Sequence, residues 1–180
     1  IDYSQTKAVL IRTVWDYFHR FGEFSAWLND VKNKAILINP AETVYWNIDK
    51  HYLKDLEKKG IPIPPTEFAE TGDTRSLHEF FEDCAWKEAV LKPAVSGAGR
   101  HTYKINRKNL QNYNAVFKEL VKKEAMMLQE YQENITVFGE TACMVFNGKF
   151  SHAVLKKAKK GEFRVQDDFG GSVHQYTASE

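Results

Sequence analysis

The sequence predicts an α+β protein, in which a short α/β portion is followed by antiparallel hairpins. Three observations carry this prediction. Two unbroken apolar runs, residues 8–11 and 35–38, enclose a segment with helical periodicity. A second pattern is an apolar strand that ends at Lys92, followed by a glycine-containing loop and a returning strand at 102–105. The third is Asn147-Gly148, which lies between two further strand-like runs and is typical of a type I′ hairpin turn.

The composition is that of an ordinary globular protein. The chain has 180 residues, 27% of them charged, and a formal net charge of +1, which gives no reason to expect a nucleic-acid partner. No apolar stretch approaches the roughly 20 residues that span a bilayer, and the first residues do not resemble a signal peptide, so we expect a cytoplasmic protein without a membrane partner. Cys84 and Cys143 are far apart and outside any C-x-x-C pattern, which predicts two buried, reduced thiols. Because the chain begins at Ile1, we expect it to be part of a longer protein.

The first elements follow from apolar spacing. The runs 8–11 and 35–38 predict strands buried on both faces, and the apolar stripe between them predicts a crossover helix and therefore a parallel pair. Residues 47–56 predict a short helix capped by Asn47, with Lys50 in its first turn and Gly60 after its end. Three prolines in 61–65 predict an extended connector. Ser76 and Glu79 form a capping-box pattern at the start of the next helix.

The later elements contain a helix between strands. Asn106 is predicted to cap a helix that includes Leu110 and Val121, and residues 125–131 are predicted to form the next strand. Strands at 141–146 and 150–155 flank the Asn147-Gly148 turn. The remaining segment is basic and contains several glycines, and the Asp167-Asp168 pair within it is expected in a solvated loop.

The loop after Lys92 is the strongest functional signal. Gly97 and Gly99 can adopt positive φ, which lets backbone N–H groups approach a ligand, while Ser96 adds a hydroxyl and Lys92 a positive charge. A lysine that leaves a buried strand pays a desolvation cost unless an anion meets it. A nucleotide phosphate is the expected anion, although the loop fits neither G-x-x-x-x-G-K-[ST] nor G-x-G-x-x-G.

Six segments in this order resemble the ATP-grasp family, and more narrowly the ATP-binding region of bacterial glutathione synthetases and related ligases, including the cycloserine-forming ones. The segments lie at residues 10–17, 38–40, 46–50, 90–93, 128–131 and 150–171. The resemblance implies two subdomains that grip ATP between antiparallel sheets, and it divides the chain into four parts. These are the remainder of a pre-grasp domain (1–40), a helical linker (41–85), a small lid subdomain (86–132) and the beginning of a large subdomain (133–180).

The resemblance also implies an activity. ATP would phosphorylate a substrate carboxylate, and an amine would then attack the acylphosphate to form an amide or peptide-like bond. The expected cofactors are ATP and Mg²⁺, and the expected partners are a small carboxylate and an amine such as an amino acid or small peptide. A homo-oligomer is left open. Two alternatives are a regulatory ATP-binding module without catalysis and an ATP-grasp kinase.

Matching positions imply roles for individual residues. Lys50, Lys92 and the loop residues Ser96, Gly97, Ala98 and Gly99 match phosphate contacts, and Gln129, Glu130, Tyr131 and Gln132 match the adenine segment. Glu133 and Glu140 are alternative candidates for the ribose. Lys156 and Arg164 match the catalytic basic positions near the γ-phosphate and the substrate carboxylate, and Arg12 and Asp16 match the substrate site, with Arg12 at the end of a buried strand.

The metal ligands of the family are not identified in this sequence. In the family an acidic residue and a later E-x-N hold magnesium, and no E-x-N occurs in the chain. We therefore expect the metal ligands beyond Glu180, and we expect weak or absent Mg²⁺-dependent turnover from this chain alone. A natural short form without those strands is the alternative.

Overall fold

The computed structural model describes residues 1–12 and 14–178, so Thr13, within the matched segment 10–17, and the end of the predicted large subdomain lie outside the described residues. The chain forms two compact units, Ile1–Glu130 and Tyr131–Glu180. Both combine helices with sheets, which confirms the α+β class. The finer division into four parts stays a prediction. No helix among the described residues is long and apolar enough to cross a membrane.

The first unit opens with the predicted parallel pair. Strand β1 (Ala8–Leu10) lies beside β2 (Ile36–Ile38), and helix α1 (Phe21–Val31) makes the crossover. The expectation that both strands are buried on both faces is wrong, because Leu10 is 57% and Ile36 71% exposed. The helix packs its buried stripe against Leu37, so only one face of this two-stranded sheet is covered.

Two helices replace the single helix predicted at 47–56. Helix α2 (Ala41–Ile48) ends before Asp49, and α3 (Tyr52–Lys58) begins after His51. Lys50 therefore lies in the break between two helices, not in a first helical turn, and Asn47 does not cap a helix. The break has a tertiary cause, because extended backbone at Asp49 forms a β-bridge with Val95.

A four-stranded antiparallel sheet forms the rest of the first unit. Its order is β3 (Thr66–Ala69), β6 (Met126–Glu130), β4 (Glu88–Pro93) and β5 (Tyr103–Asn106). Helices α4 (Leu77–Cys84) and α5 (Leu110–Val121) cover one face around a fully buried core. The hairpin around Lys92 and the capping box of α4 are confirmed.

Two details of this sheet differ from the predictions. Strand β3 was not predicted, since four residues after a proline-rich connector carry little periodic signal. Asn109, not Asn106, precedes α5 as its N-terminal cap. The Asn106 side chain instead accepts the N–H groups of Lys108 and Asn109 in the turn that leads to the helix.

The second unit contains a three-stranded antiparallel sheet. Helix α6 (Asn134–Val137) precedes β7 (Glu140–Phe146), β8 (Lys149–Lys157) and β9 (Ser172–Tyr176), with β8 in the centre. The type I′ turn is confirmed, because both Asn147 and Gly148 have positive φ, 49° and 74°. Cys143 in β7 is exposed and Cys84 is partly buried, so both thiols are free but the expected burial is wrong.

Candidate active site

Lys92 lies on the face of the four-stranded sheet that α4 and α5 do not cover. Residues alternate along β4, so that Leu91 is fully buried against the helices while Lys92 points to the opposite face and is half-buried. The Lys92 ammonium donates to Gln129 Oε1 on β6 at 3.2 Å. The Gln129 amide in turn donates to Thr66 Oγ1 on β3 at 2.9 Å. Three neighbouring strands are thus connected through side chains on the face that carries Lys92.

Lys50 lies against the loop that follows β4. Its Nζ donates to the carbonyl oxygens of Ala94 at 3.2 Å and Ser96 at 2.9 Å, and its backbone N–H donates to Ala94 at 3.1 Å. The pKa of Lys50 is lowered to about 8, chiefly by burial and further by the positive charges of Lys92 and Arg100, against the opposing effect of Asp49. Two cations therefore lie close together at this loop and repel each other, an arrangement that an anion would stabilise.

The loop itself, residues 94–102, offers backbone donors. Arg100 N–H donates to Gly97 O at 3.0 Å, and Thr102 N–H donates to Gly99 O at 3.2 Å. Within the described ranges 1–12 and 14–178, the N–H groups of residues 97–99 donate to no protein acceptor. Consecutive N–H groups without protein acceptors, beside two lysines, are typical of sites that bind phosphates.

The glycines of this loop have different roles from each other. Gly99 has the expected positive φ of 68°, and Ala98, at 50°, shares that region. The expectation of positive φ at Gly97 is wrong. Gly97 is needed for close packing instead, because an added Cβ would lie 2.7 Å from the ring of Phe18. This contact joins the loop to the segment between β1 and α1.

That segment carries the predicted substrate residues Arg12 and Asp16. Strand β1 ends at Leu10, and Arg12 is exposed, so its expected position at the end of a buried strand is wrong. Asp16 is exposed as well and forms an ion pair with Arg20 at 3.6 Å. The proposed contact of both residues with a substrate stays a prediction.

The predicted adenine segment spans the end of β6 and the residues after it. Glu130 N–H donates to Pro65 O at 2.9 Å. Tyr131 belongs to the second unit, where its hydroxyl donates to Thr136 at 3.3 Å and its ring meets Phe163 edge-on. Gln132 is exposed, and exposed Glu133 directly precedes α6.

The second unit places carboxylates beside both predicted catalytic cations. Lys156 on β8 lies opposite Glu140 on β7 and donates to it at 3.5 Å. Arg164 donates twice to Glu162, at 3.0 and 2.6 Å, and its guanidinium carbon lies 3.5 Å from the centre of the Phe169 ring. The hydrogen bonds from Arg164 lower the pKa of Glu162 to about 2. Arg164 is therefore held in one orientation by a charged partner.

No group of three or more His, Cys, Asp or Glu in the described part of the chain could hold a metal ion. The expectation that metal ligands lie beyond Glu180 stays a prediction. Lys50, Lys92 and the N–H groups of the loop are hydrogen-bond donors, which suit the phosphates of a metal–nucleotide complex. They do not suit its metal ion, which needs oxygen ligands.

Sequence reasoning missed three contributors to this site, namely Phe18, Arg100 and Glu124. Arg100 could have been singled out as a cation inside a glycine-containing loop. The contacts of Phe18 with Gly97 and of Arg100 with Glu124 join residues far apart in the sequence, and no local pattern predicts them.

Two family models match the chain. Residues 1–39 match the N-terminal domain of the D-cycloserine synthetase DcsG, and residues 57–180 match the ATP-grasp domain of prokaryotic glutathione synthetase. Among curated proteins, the cycloserine biosynthesis protein DcsG of Streptomyces lavendulae is 30% identical over 162 residues, which cover 88% of this chain and 54% of that protein. The chain thus spans about half the length of this relative.

Solved structures agree with these matches. The crystal structure of the D-cycloserine synthetase DcsG has a TM-score of 0.86 and 27% identity, and the match covers 98% of this chain and 62% of that one. The D-alanyl-alanine synthetase A of Vibrio cholerae has a TM-score of 0.62 with 16% identity, covering 93% of this chain and 51% of that one. The second likeness supports the fold alone.

Proposed function

Since this chain belongs to the prokaryotic glutathione synthetase ATP-grasp family, we propose that it supplies the ATP-binding part of a ligase that joins a carboxylate to an amine. One observation carries the proposal. Lys50 and Lys92 converge on a loop whose consecutive N–H groups at residues 97–99 have no protein acceptor in the described part of the chain. Such a site neutralises the charge of a polyphosphate and positions it for phosphoryl transfer without a covalent nucleophile from the protein.

We assign the two lysines and the loop to the phosphates of ATP. Lys92 reaches the site from β4 and is oriented by Gln129, while Lys50 is held at the loop carbonyls and can exchange them for phosphate oxygens. The backbone of residues 129–132 is proposed to pair with adenine, and Glu133 or Glu140 to bind the ribose. Because backbone groups would bind the adenine, the side chains of that segment are free to vary.

The reaction needs positive charge at two further places. We propose that Lys156 binds the γ-phosphate as it moves to the carboxylate, and that Arg164 binds the carboxylate itself. Arg164 suits that role since Glu162 and Phe169 fix its guanidinium, and a fixed guanidinium can bind a planar carboxylate with two hydrogen bonds. Arg12 and Asp16 are proposed to bind the substrates.

The substrates are proposed to be small, a carboxylic acid and an amine of amino-acid or peptide type. Mg²⁺ belongs to the proposal, since a hard cation that bridges phosphates neutralises their charge. The use of ATP supports a cytoplasmic location, which stays a prediction, as does any assembly into homo-oligomers.

An assay of ADP release with a panel of acids and amines tests the proposed function in the natural full-length protein. A ligase releases ADP and phosphate only when ATP, Mg²⁺, acid and amine are all present. ADP release with the acceptor alone and a stable phosphorylated product would instead identify a kinase. Tight ATP binding without turnover on any pair would identify a regulatory module and would contradict the proposal.

The pKa of Lys50 predicts how ATP affinity depends on pH. Only the protonated ammonium attracts phosphate, and in the free protein it loses its proton near pH 8. Affinity should therefore be constant between pH 7 and about 8 and should fall above that, by up to about tenfold per pH unit, because binding takes up one proton. Calorimetry in buffers of different ionisation enthalpy measures this uptake. A Lys50→Arg variant, which stays charged, should bind without the decrease, and a decrease of the same size in that variant would contradict the prediction.

A further inference from the structure

Arg100 joins loop 94–102 to a neighbouring segment of the first unit. Its Nη1 donates to Glu124 Oε1 at 2.9 Å, and its Nη2 bonds the second oxygen of the same carboxylate. Nη2 also donates to the carbonyl of Val95 inside the loop at 3.3 Å. The guanidinium thus joins the loop to the connection between α5 and β6 through a two-point contact.

The backbone of Arg100 is as strongly engaged as its side chain. Its carbonyl accepts the hydroxyls of Ser96 at 3.2 Å and Thr102 at 3.3 Å, and its N–H donates to Gly97. These bonds close the loop on itself around residues 96–99. The conformation that leaves the N–H groups of residues 97–99 unpaired therefore depends on where Arg100 is held.

The ion pair between Arg100 and Glu124 is partly buried, unlike an ion pair that only contributes to a soluble surface. The Arg100 and Glu124 side chains are only 17% and 26% exposed. The Nε atom of Arg100 is buried and has no hydrogen-bond partner among the described residues. A buried donor without a partner lowers the free energy of unfolding, so stability alone does not explain the position of the Arg100 side chain.

The backbone around Glu124 is held by hydrogen bonds to α5 and to the start of the loop. Its N–H donates to Leu120 at the end of α5, and the next residue, Ala125, accepts the N–H of Ala94 at the start of the loop. Arg100 and the segment of Glu124 therefore both contact residues 94–95, where the loop leaves the sheet. Lys50 contacts the same loop at the carbonyls of Ala94 and Ser96.

We propose that Arg100 is a positioning residue of the ATP site, which acts with Glu124 to hold loop 94–102 in the form that presents its N–H groups and Lys50 to the phosphates. Arg100 does not touch the nucleotide in this role. The inference rests on the proposed function for its ligand. The conformation of loop 94–102 is held by Arg100 and Glu124 in the free protein as well, so this part of the inference does not depend on ATP.

The alternative is that Arg100 leaves Glu124 and binds a phosphate directly. The two roles predict opposite effects of Glu124→Gln. A positioning pair loses its function when either partner is changed, so Glu124→Gln and Arg100→Met should weaken binding alike. A phosphate ligand released from its carboxylate should bind ATP as tightly as before, or more tightly.

The experiment measures ATP binding by calorimetry and amide exchange of the free protein for wild type, Arg100→Met, Glu124→Gln and the double variant. Each single variant should bind ATP about tenfold more weakly, and the double variant no more weakly than either, since the two residues act as one unit. In the free protein, the amides of Arg100 and Thr102 should exchange about tenfold faster in both single variants. Glu119→Gln, which removes a carboxylate from an exposed ion pair with Lys122 at the C-terminal end of α5, is the matched control and should change neither quantity.

A pH titration separates positioning from a general loss of structure. Arg100→Met removes a charge that depresses the Lys50 pKa, so the decrease in ATP affinity should move to higher pH, whereas Glu124→Gln keeps that charge. Unchanged exchange at Arg100 and Thr102 in both variants overturns the inference, whether or not ATP binds. So does tighter ATP binding by Glu124→Gln. If the variants show the predicted faster exchange but the wild-type protein binds no ATP, the proposed function is contradicted and the role of Arg100 and Glu124 in holding the loop is confirmed.

Discussion

Replacing Lys92 by methionine should weaken ATP binding by about 100-fold, because it removes a charge aimed at the phosphates from a partly desolvated position. Lys92 is half-buried on the face of the sheet away from α4 and α5, and Gln129 orients its ammonium. Methionine keeps the length and apolar stem of the side chain, so the sheet should remain folded. Calorimetric titration with ATP at pH 7.5 measures the effect.

The pH dependence of ATP affinity in the same variant provides a second measurement. The positive charge of Lys92 lowers the pKa of Lys50, so its removal should raise that pKa and move the pH-dependent loss of affinity upward. Lys104→Met is the matched control. Lys104 lies on the same face, opposite Val90, and forms an ion pair with Glu88 at 2.9 Å. Equal losses of affinity in the two variants would contradict a specific role for Lys92.

Gly171→Ala should destabilise the second unit by about 3 kcal/mol, since overpacking against backbone leaves little room for relaxation. An added Cβ would lie 2.1 Å from the carbonyl oxygen of Val165, and Gly171 immediately precedes β9. The basic segment that carries Arg164 would have to shift. Amide exchange in β8 and β9 should accelerate accordingly.

Gly22→Ala provides the control for this prediction. An added Cβ at Gly22 meets nothing within 4 Å, and Gly22 lies in α1, so alanine there should be neutral or stabilising by up to about 1 kcal/mol. Urea unfolding followed by tryptophan fluorescence reports the first unit, because all four tryptophans precede residue 131. Unchanged exchange in β8 and β9 of Gly171→Ala would contradict the prediction.

Elements with a local cause were predictable from the sequence. The stripe of α1, the Ser76 capping box and the turn at Asn147-Gly148 depend on residues a few positions apart, and the structure confirms all three. Lys92 and its loop could also be found, because the strand, the cation and the glycines are consecutive.

Contacts between distant segments were not predictable in the same way. The helix expected through Lys50 is interrupted because Asp49 pairs with Val95, 46 residues later. Gly97 was interpreted through its conformational freedom, yet its neighbour Phe18 comes from a segment near the start of the chain. Arg100 and Glu124, 24 residues apart, form a pair that no periodicity indicates. Each of these is decided by tertiary packing, which a single sequence encodes only weakly.

The most direct test of carboxylate–amine ligation follows an oxygen atom. With the acid and amine pair that supports ADP release, the acid is labelled with ¹⁸O in its carboxyl group, and the phosphate is analysed by mass spectrometry. Attack of the carboxylate on the γ-phosphate, followed by attack of the amine on the acyl carbon, moves one carboxyl oxygen into the phosphate. The proposed function predicts one ¹⁸O in each phosphate released. Unlabelled phosphate would mean that water, not the carboxylate, attacks ATP, and would contradict the proposal.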